Sequence, residues 1–361
     1  MPGHPFAAVT TPDDAYAFVS ITSSNPRSPT GLQVLRCERG RYVAHRFLAL
    51  EAEPSGMAMT HDGRLLVVSD GEYTAFVDVA RAVQGRADVL RGYVRDNADD
   101  YAGAVYVAIS PDDRYAFVSD EAQQAIAVID MRRAPAANAV VGHVPVGSAP
   151  VALAFTRDGR YVLSTSQNAR AEWNFAKECR PEGAAPSATP PPRARGALVV
   201  IDAVKAQTDA EHAVVSKTPA GCNPVRLALS PDGATAWASA RASNSAFGFD
   251  VAKLIAGAAD AQVAKVAVGN APVPIAVTAD GAFLLVGNSN RFATGPRPPQ
   301  TVSVVKLNAP GGPAAAGTIP VGLFPREFSH ARRTPDLLLS NWDSNAITVF
   351  DGTRIASLIR P

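Results

Sequence analysis

The chain repeats itself seven times, and no other feature limits so tightly what it can fold into. Laid on the stretch PVRLALSPDGATAWASAR, from Pro224 to Arg241, the units begin at Pro5, Pro54, Ala104, Pro150, Pro224, Pro272 and Pro325. With each start as position zero, position eight reads Asp13, Asp62, Asp112, Asp158, Asp232 and Asp280, with Arg333 the exception. Position fifteen reads Ser20, Ser69, Ser119, Thr165, Ser239, Gly287 and Ser340. The period is about 48 residues, the range in which one supersecondary unit buries its apolar face only by stacking on copies of itself.

The content of the unit decides the architecture. In the third unit VYVAIS leads through a Pro-Asp-Asp turn into RYAFVSD, then QAIAVID, then NAVVGHVPV. These are short runs rich in Val, Ile, Tyr and Phe, bounded by the residues that supply turn dihedrals. Four strands per unit, set radially around a channel, are the blades of a β-propeller, which protects strand edges without closing a single barrel. The expectation is an all-β, seven-bladed β-propeller with four antiparallel strands per blade, one domain spanning residues 1–361. The last unit, LLLSNW, AITVF and IASLI, places the end of the chain on an outermost strand, whereas the chain starts on an innermost one. The ring should therefore close by packing of the first blade on the seventh, with no strand exchanged.

The segments GSAPVALAFTRDGRYVLSTS, GCNPVRLALSPDGATAWASARASN and GNAPVPIAVTADGAFLLVGNSN share the order Gly-x-x-Pro, apolar strand, Asp-Gly turn, and a strand ending near Ser. Over almost the whole chain this resembles the YVTN-repeat β-propeller family. The resemblance implies the fold. It leaves function open, since such propellers include binding proteins and relatives of lactonase-type enzymes, and a fold does not fix a function.

Net charge is +1 with 19% charged and 47% hydrophobic residues, so no basic stripe tracks a phosphate backbone and nucleic acid is not an expected partner. Cys37, Cys179 and Cys222 are odd in number and lack metal-type spacing, which reads as neither a disulfide framework nor a zinc site. With no leader-like segment and no run of eighteen apolar residues, the sequence as given reads as cytoplasmic and not membrane-spanning, or exported if a leader was removed. Oligomeric state is not legible.

In a propeller the turns between first and second strands mark one rim, here the Asp-Gly turns, and the second-to-third loops mark the other. Function is expected at the second rim. Two loops there are long: residues 167–195 in the fourth unit, where a short helix over Ala171 to Lys177 could carry Trp173 and Phe175, the loop being either a loose decoration or a lid over the channel mouth, and 290–300 in the sixth.

No short catalytic signature is present, so any site must be assembled from several blades. Position two reads Ala7, Gly56, Tyr106, Ala152, Arg226, Pro274 and Glu327, and Tyr106, Arg226 and Glu327 break its small or apolar rule. Two accounts fit: Arg226 and Glu327 bridge blades as a buried pair, or Arg226 and Arg326 fork onto a carboxylate or phosphate while Glu327 handles a proton. Position sixteen reads Ile21, Asp70, Asp120, Ser166, Ala240, Asn288 and Asn341. Its oxygens could hold Ca²⁺ or Mg²⁺, with Glu72 and Glu121 nearby, or merely end strands by bonding their own backbone. No other cofactor is implied. The rim is polarised, with Glu72, Asp99, Asp100, Asp120 and Glu121 from blades 2 and 3 facing Arg226, Arg241, Arg291 and Arg326 from blades 5 to 7.

The candidate catalytic set is thus Glu327, Arg226, Arg326 and Tyr106, and the candidate ligand-binding set is Arg241, Asn288, Asn290, Arg291, Asn341, Trp342, Trp173 and Asp120. Cys222, beside Arg226, reads as either a passive or an activated thiol. These residues suggest an enzyme acting on a small polar or anionic molecule at the channel mouth, and the similarity to lactonase-type propellers implies lactonase-like hydrolysis or cyclisation. The alternative is a non-catalytic propeller that binds a small ligand or a protein. Convergence of Arg226, Arg326, Glu327 and Trp342 on one concave site discriminates between them.

Overall fold

The structure, a computed structural model, describes residues 1–23, 29–96, 103–182, 184, 189–292 and 300–360. Seven antiparallel sheets follow one another as the blades of a seven-bladed β-propeller. Blade 3 shows the pattern: Ala104–Ile109 is innermost, then Tyr115–Asp120, Ala125–Asp130 and the outermost Val140–Pro145, each paired with the one before. Second strands are covered on both faces by neighbouring blades, which is why RYAFVSD reads as a nearly unbroken apolar run and why Tyr115–Asp120 is buried throughout. The core lies in the gaps between blades. One cluster joins Val67 and Phe76 of blade 2 to Val107, Val118 and Ile129 of blade 3, and each such side chain contributes about 1.5–3 kcal/mol on burial.

The repeated aspartate is a turn residue. Ser230 donates its hydroxyl to Asp232 at 2.5 Å, the same carboxylate accepts the Ala234 N–H at 3.0 Å, and Gly233 takes the left-handed conformation (φ 75°) that the turn demands. Thr11 with Asp13, Thr60 with Asp62, Ser110 with Asp112, Thr156 with Asp158 and Thr278 with Asp280 repeat the hydroxyl contact. The serine at position fifteen bonds from blade to blade: Ser20 donates to the Ser55 carbonyl and Ser239 to the Val273 carbonyl, each at 2.6 Å. Ser340 donates to the Phe6 carbonyl at 2.6 Å and so joins blade 7 to blade 1. On the Asp-Gly rim the Asp14 carboxylate accepts the N–H groups of Arg332, Arg333 and Thr334 across the same seam. The ring closes without exchanging a strand, as the order of strands implied.

Three expectations are corrected. Among the described residues blade 7 pairs three strands, Pro325–His330, Leu337–Asn341 and Ala346–Phe350. The run IASLI is not its fourth strand, because Ile355–Leu358 is a helical turn. In blades 2 and 5 an aspartate after the third strand caps a short helix, Asp78 before Val79–Gln84 and Asp250 before Val251–Ile255. Asp351 likewise caps the turn Gly352–Arg354 that leads into Ile355–Leu358, so IASLI corresponds to that helix. Arg360 then exchanges two backbone hydrogen bonds of 2.8 Å with Thr318 on the outermost strand of blade 6. A Cβ at neighbouring Gly317 would lie 2.4 Å from the Arg360 carbonyl, so this close approach requires glycine.

The second correction is a disulfide. Cys179 and Cys222, 43 residues apart, are bonded, while Cys37 is free. Cys179 sits in the blade 4 insertion, where Lys177–Cys179 pairs with Arg193–Ala194 in a small two-stranded sheet. The helix expected over Ala171 to Lys177 is reduced to one 3-10 turn, Ala171–Trp173, which ends at Asn174 in the left-handed conformation. Among the described residues no helix is long and apolar enough to cross a membrane.

Candidate functional site

In every blade the pairing of the first two strands slips near the start of the repeat, for example between Pro224 and Arg226 and between Pro325 and Glu327. Such bulges re-aim side chains. Here a cavity is lined by residues one position after each start, Val105, Val151, Val225, Val273 and Arg326, by Glu121, Gln167 and Arg241 from position seventeen, by Arg291 two residues beyond it, and by Arg226 at its floor. The cavity measures about 370 Å³. A second lobe of about 230 Å³ shares Val105, Glu121 and Arg326 and is completed by Phe6, Thr22, Glu53, Ser55 and Trp342. Both lie on the rim opposite the Asp-Gly turns.

Four guanidiniums meet three carboxylates here. Arg241 grips Glu182 of the blade 4 insertion through Nε and one terminal nitrogen, at 2.6 and 2.5 Å, and donates to Gln167 at 2.9 Å. Gln167 in turn donates to Glu121 at 3.3 Å. Arg226 is paired with Glu327. Arg291 and Arg326 have no carboxylate within salt-bridge distance among the described residues, and Arg326 Nε is buried without a partner. Aromatic faces hold these two: Phe6 lies 4.3 Å from the Arg326 guanidinium, and Phe292 and Phe324 lie 5.2 and 5.6 Å from that of Arg291. Burial, with Arg226 and Arg291 close by, drives the Arg326 pKa well down. A guanidinium nevertheless keeps its proton in proteins, so the unmet demand is for an anion. Burial pushes the Glu121 carboxyl up against the pull of all four arginines, a perturbation that suits a group passing protons.

At the floor of the cavity a second constellation spans the channel. Glu327 of blade 7 pairs with Arg226 of blade 5 and accepts the Tyr106 hydroxyl of blade 3 at 3.4 Å. Arg226 lies 5.6 and 5.7 Å from the rings of Tyr106 and Phe6 and donates to the Val225 carbonyl at 3.0 Å. Arg226 and Glu327 are 2% and 7% exposed, so the pair is internal. Burial raises the Glu327 pKa, opposed chiefly by Arg226, and burial beside that carboxylate pushes the Tyr106 phenol up. Of the two accounts offered for these residues, the geometry builds the bridge between blades.

The structure therefore brings together Arg226, Arg241, Arg291, Arg326, Glu327, Tyr106 and Trp342, whose ring stacks on His4 at 5.1 Å. The position-sixteen residues stand apart and bond within their own blades, Asp120 to backbone and Asn288 and Asn341 to hydroxyls of the adjacent strand. Asp120 accepts the N–H groups of Ala122 and Gln123, Asn288 bonds Thr301 and Ser303, and Asn341 bonds Thr348. Asn290 takes a left-handed turn (φ 46°) outside the cavity. Trp173 packs at the outer edge of blade 4, 5.8 Å from Lys217 Nζ, and does not cover the channel. Among the described residues no three His, Cys, Asp or Glu side chains gather to hold a metal. Glu72 pairs with Arg95, and Asp99 and Asp100 lie outside the described residues. Cys222 is spent in the disulfide, so it is no thiol nucleophile. Glu121 was legible only as a rim charge or a neighbour of a cation site, and Gln167 and Glu182 were not singled out.

Fold and cavity together define a seven-bladed propeller with a cationic pocket at its channel mouth. The chain superposes on a Kuenenia stuttgartiensis hydrazine synthase chain with a TM-score of 0.70, 16% identity, and coverage of 97% of this chain and 96% of that one. It superposes on a Bacteroides uniformis protein described as a candidate 6-phosphogluconolactonase with a TM-score of 0.68, 18% identity, and coverage of 96% and 94%. At these identities the likeness is one of fold. No protein-family model and no curated protein matches the sequence, so the YVTN-repeat resemblance rests on the repeat alone.

Proposed function

We propose that the protein is a lactonase-like enzyme that binds a small organic anion in the arginine cavity and opens or closes a ring ester there. The observation that carries this reading is Glu121, a carboxyl with a raised pKa at the junction of the two lobes, beside Arg326, whose buried Nε has no hydrogen-bond partner among the described residues. In the hydrolytic direction the Glu121 carboxylate takes a proton from water, and the water oxygen adds to the ester carbonyl. The carbonyl oxygen becomes an oxyanion facing Arg326. The ring carbon–oxygen bond then breaks, and Glu121 returns the proton to the leaving oxygen. Arg291 meets a fixed negative charge elsewhere on the substrate. The described role of the Bacteroides uniformis neighbour offers a substrate class of the same kind, a lactone carrying an anionic group.

Glu327, the base suggested by the sequence, serves this reading less well, since Arg226 holds it below the cavity. That same closed pair favours the second reading, a binding propeller without chemistry. Hydrolysis of a panel of lactones with and without phosphate or carboxylate groups separates the two. Glu121→Gln is expected to lower turnover by roughly 100-fold or more while leaving ligand binding intact. Saturable binding with no turnover of any lactone would leave the binding propeller.

A further inference from the structure

The cavity contains an anion of its own. Arg241 is 8% exposed and engages Glu182 through both Nε and a terminal nitrogen, the fork geometry by which guanidinium recognises a ligand's carboxylate or phosphate. Glu182 does not belong to the blade that carries Arg241. It comes from the blade 4 insertion, three residues after Cys179, and the disulfide ties that insertion to Cys222. The tie lands beside Arg241 itself: the Cys222 carbonyl accepts the Ala242 N–H at 3.1 Å, and the Asn223 carbonyl accepts the Arg241 N–H at 2.9 Å. One backbone segment thus positions both the guanidinium and the staple that delivers its carboxylate.

We infer that Glu182 is a resident competitor for the ligand's anionic group, held in place by the Cys179–Cys222 staple, and that it sets which ligands the cavity accepts. The inference rests on the anion-binding reading of this site. A carboxylate on a three-residue tether presents a high effective concentration to Arg241, so a ligand must out-compete it. A monocarboxylate offers Arg241 only what Glu182 already gives. A dianion gains over it by also engaging Arg291 and Arg326, which have no carboxylate within salt-bridge distance among the described residues. The specificity that follows is for compact ligands carrying two negative charges, and apparent affinity is reduced by the fraction of time Glu182 holds the site.

The test is titration of the full chain with inorganic phosphate. Glu182→Gln is expected to bind phosphate about tenfold tighter than the wild type. It should also melt lower without phosphate and recover with it, because the buried Arg241 charge is then answered only by the ligand. Glu182→Asp keeps the charge with a shorter reach, controls for folding, and should fall between the two. Removing the staple as Cys179→Ser with Cys222→Ser should also tighten binding, and should add nothing on top of Glu182→Gln, since both act through one contact. Equal or weaker phosphate affinity in Glu182→Gln overturns the competitor, and weaker binding after loss of the staple overturns its role. If Arg326→Ala still weakens phosphate in either case, the anion-site reading survives. Absence of phosphate binding in the wild type and every variant ends both.

Discussion

The two sides of the functional rim carry opposite charges and meet burial in opposite ways. In blade 2, Asp70 and Asp96 are almost wholly covered, at 0% and 1% exposed. Burial raises their pKa values to about 6 and about 7. Each takes one modest bond, Asp70 from the Ala52 N–H at 3.4 Å and Asp96 from the Thr74 hydroxyl at 2.7 Å, and each has a second carboxylate oxygen without a partner. A carboxylate can escape the cost of burial by taking a proton. The arginines of blades 5 to 7 cannot, and they need counter-charges from elsewhere: Glu327 for Arg226, Glu182 for Arg241, and, among the described residues, no paired carboxylate for Arg291 and Arg326. The comparison teaches where a ligand belongs. In the acidic sector burial of Asp70 and Asp96 favours taking up a proton, whereas in the basic sector two arginines have no carboxylate within salt-bridge distance among the described residues.

The largest effect should come from breaking the buried Arg226–Glu327 pair, whose carboxylate does not line the cavity. Arg226→Ala leaves Glu327 buried and uncompensated, a change that typically costs about 3–5 kcal/mol. Urea unfolding should show this loss whether or not a small anion is present. If added phosphate restores the stability, the ion pair belongs to the ligand site and the division between cavity and floor is wrong. Arg326→Ala should behave in the reverse manner. It should leave stability nearly unchanged and weaken binding of a small anion by about 1.5–3 kcal/mol, the worth of a charged hydrogen bond, when measured by calorimetry.

The acidic sector makes a prediction in pH. Asp96 has a folded-state pKa above its ordinary value of 3.8, so the folded protein binds that proton more tightly than the unfolded chain does. Its contribution to stability is full below about pH 4 and is lost as pH rises through about 7, at no more than about 1.4 kcal/mol per pH unit. Asp96→Asn, which stays neutral and can still accept from Thr74, should flatten the stability profile between pH 4 and 7. Anion affinity should be unaffected. An unchanged profile would mean that Asp96 is not protonated in the folded protein, and the contrast between the sectors would lose its acidic half.

The repeat made the ring, the turn aspartates and the site's rim legible, because a period imposes the same hydrogen bonds seven times. The site itself was legible only in part, and the reason is one residue of register. Position sixteen, with Asp70, Asp120, Asn288 and Asn341, turns its side chains back onto its own blade. Position seventeen, which reads Thr22, Gly71, Glu121, Gln167, Arg241, Ser289 and Trp342, varies most in chemistry and supplies the cavity wall. A bulge at the start of each blade decides which of two adjacent residues faces the channel, and alternation along a strand does not reveal a bulge. The Cys179–Cys222 bond was hidden because an odd cysteine count fits one bond plus a free thiol as well as three thiols. The helix at IASLI was hidden because a short apolar run reads as strand or helix alike.

The smallest expected effect tests the link between the sectors. Tyr106 stands on the acidic side in blade 3 and donates at 3.4 Å to Glu327 in blade 7, whose other oxygen is held by Arg226 in blade 5. This bond is longer and weaker than the ion pair it joins, and Tyr106→Phe keeps the ring that Arg226 lies over. The substitution should therefore cost no more than about 0.5–1.5 kcal/mol of stability, the net worth of one hydrogen bond. If Glu327 only bridges blades, turnover and its pH dependence should not move, because the phenol touches nothing in the cavity. If Glu327 is the acid or base instead, losing the hydroxyl takes a donor from its charged form, raises its pKa and shifts the pH–rate profile upward. Such a shift, in a variant of nearly unchanged stability, would return the chemistry from Glu121 to Glu327 and make the floor of the cavity its active centre.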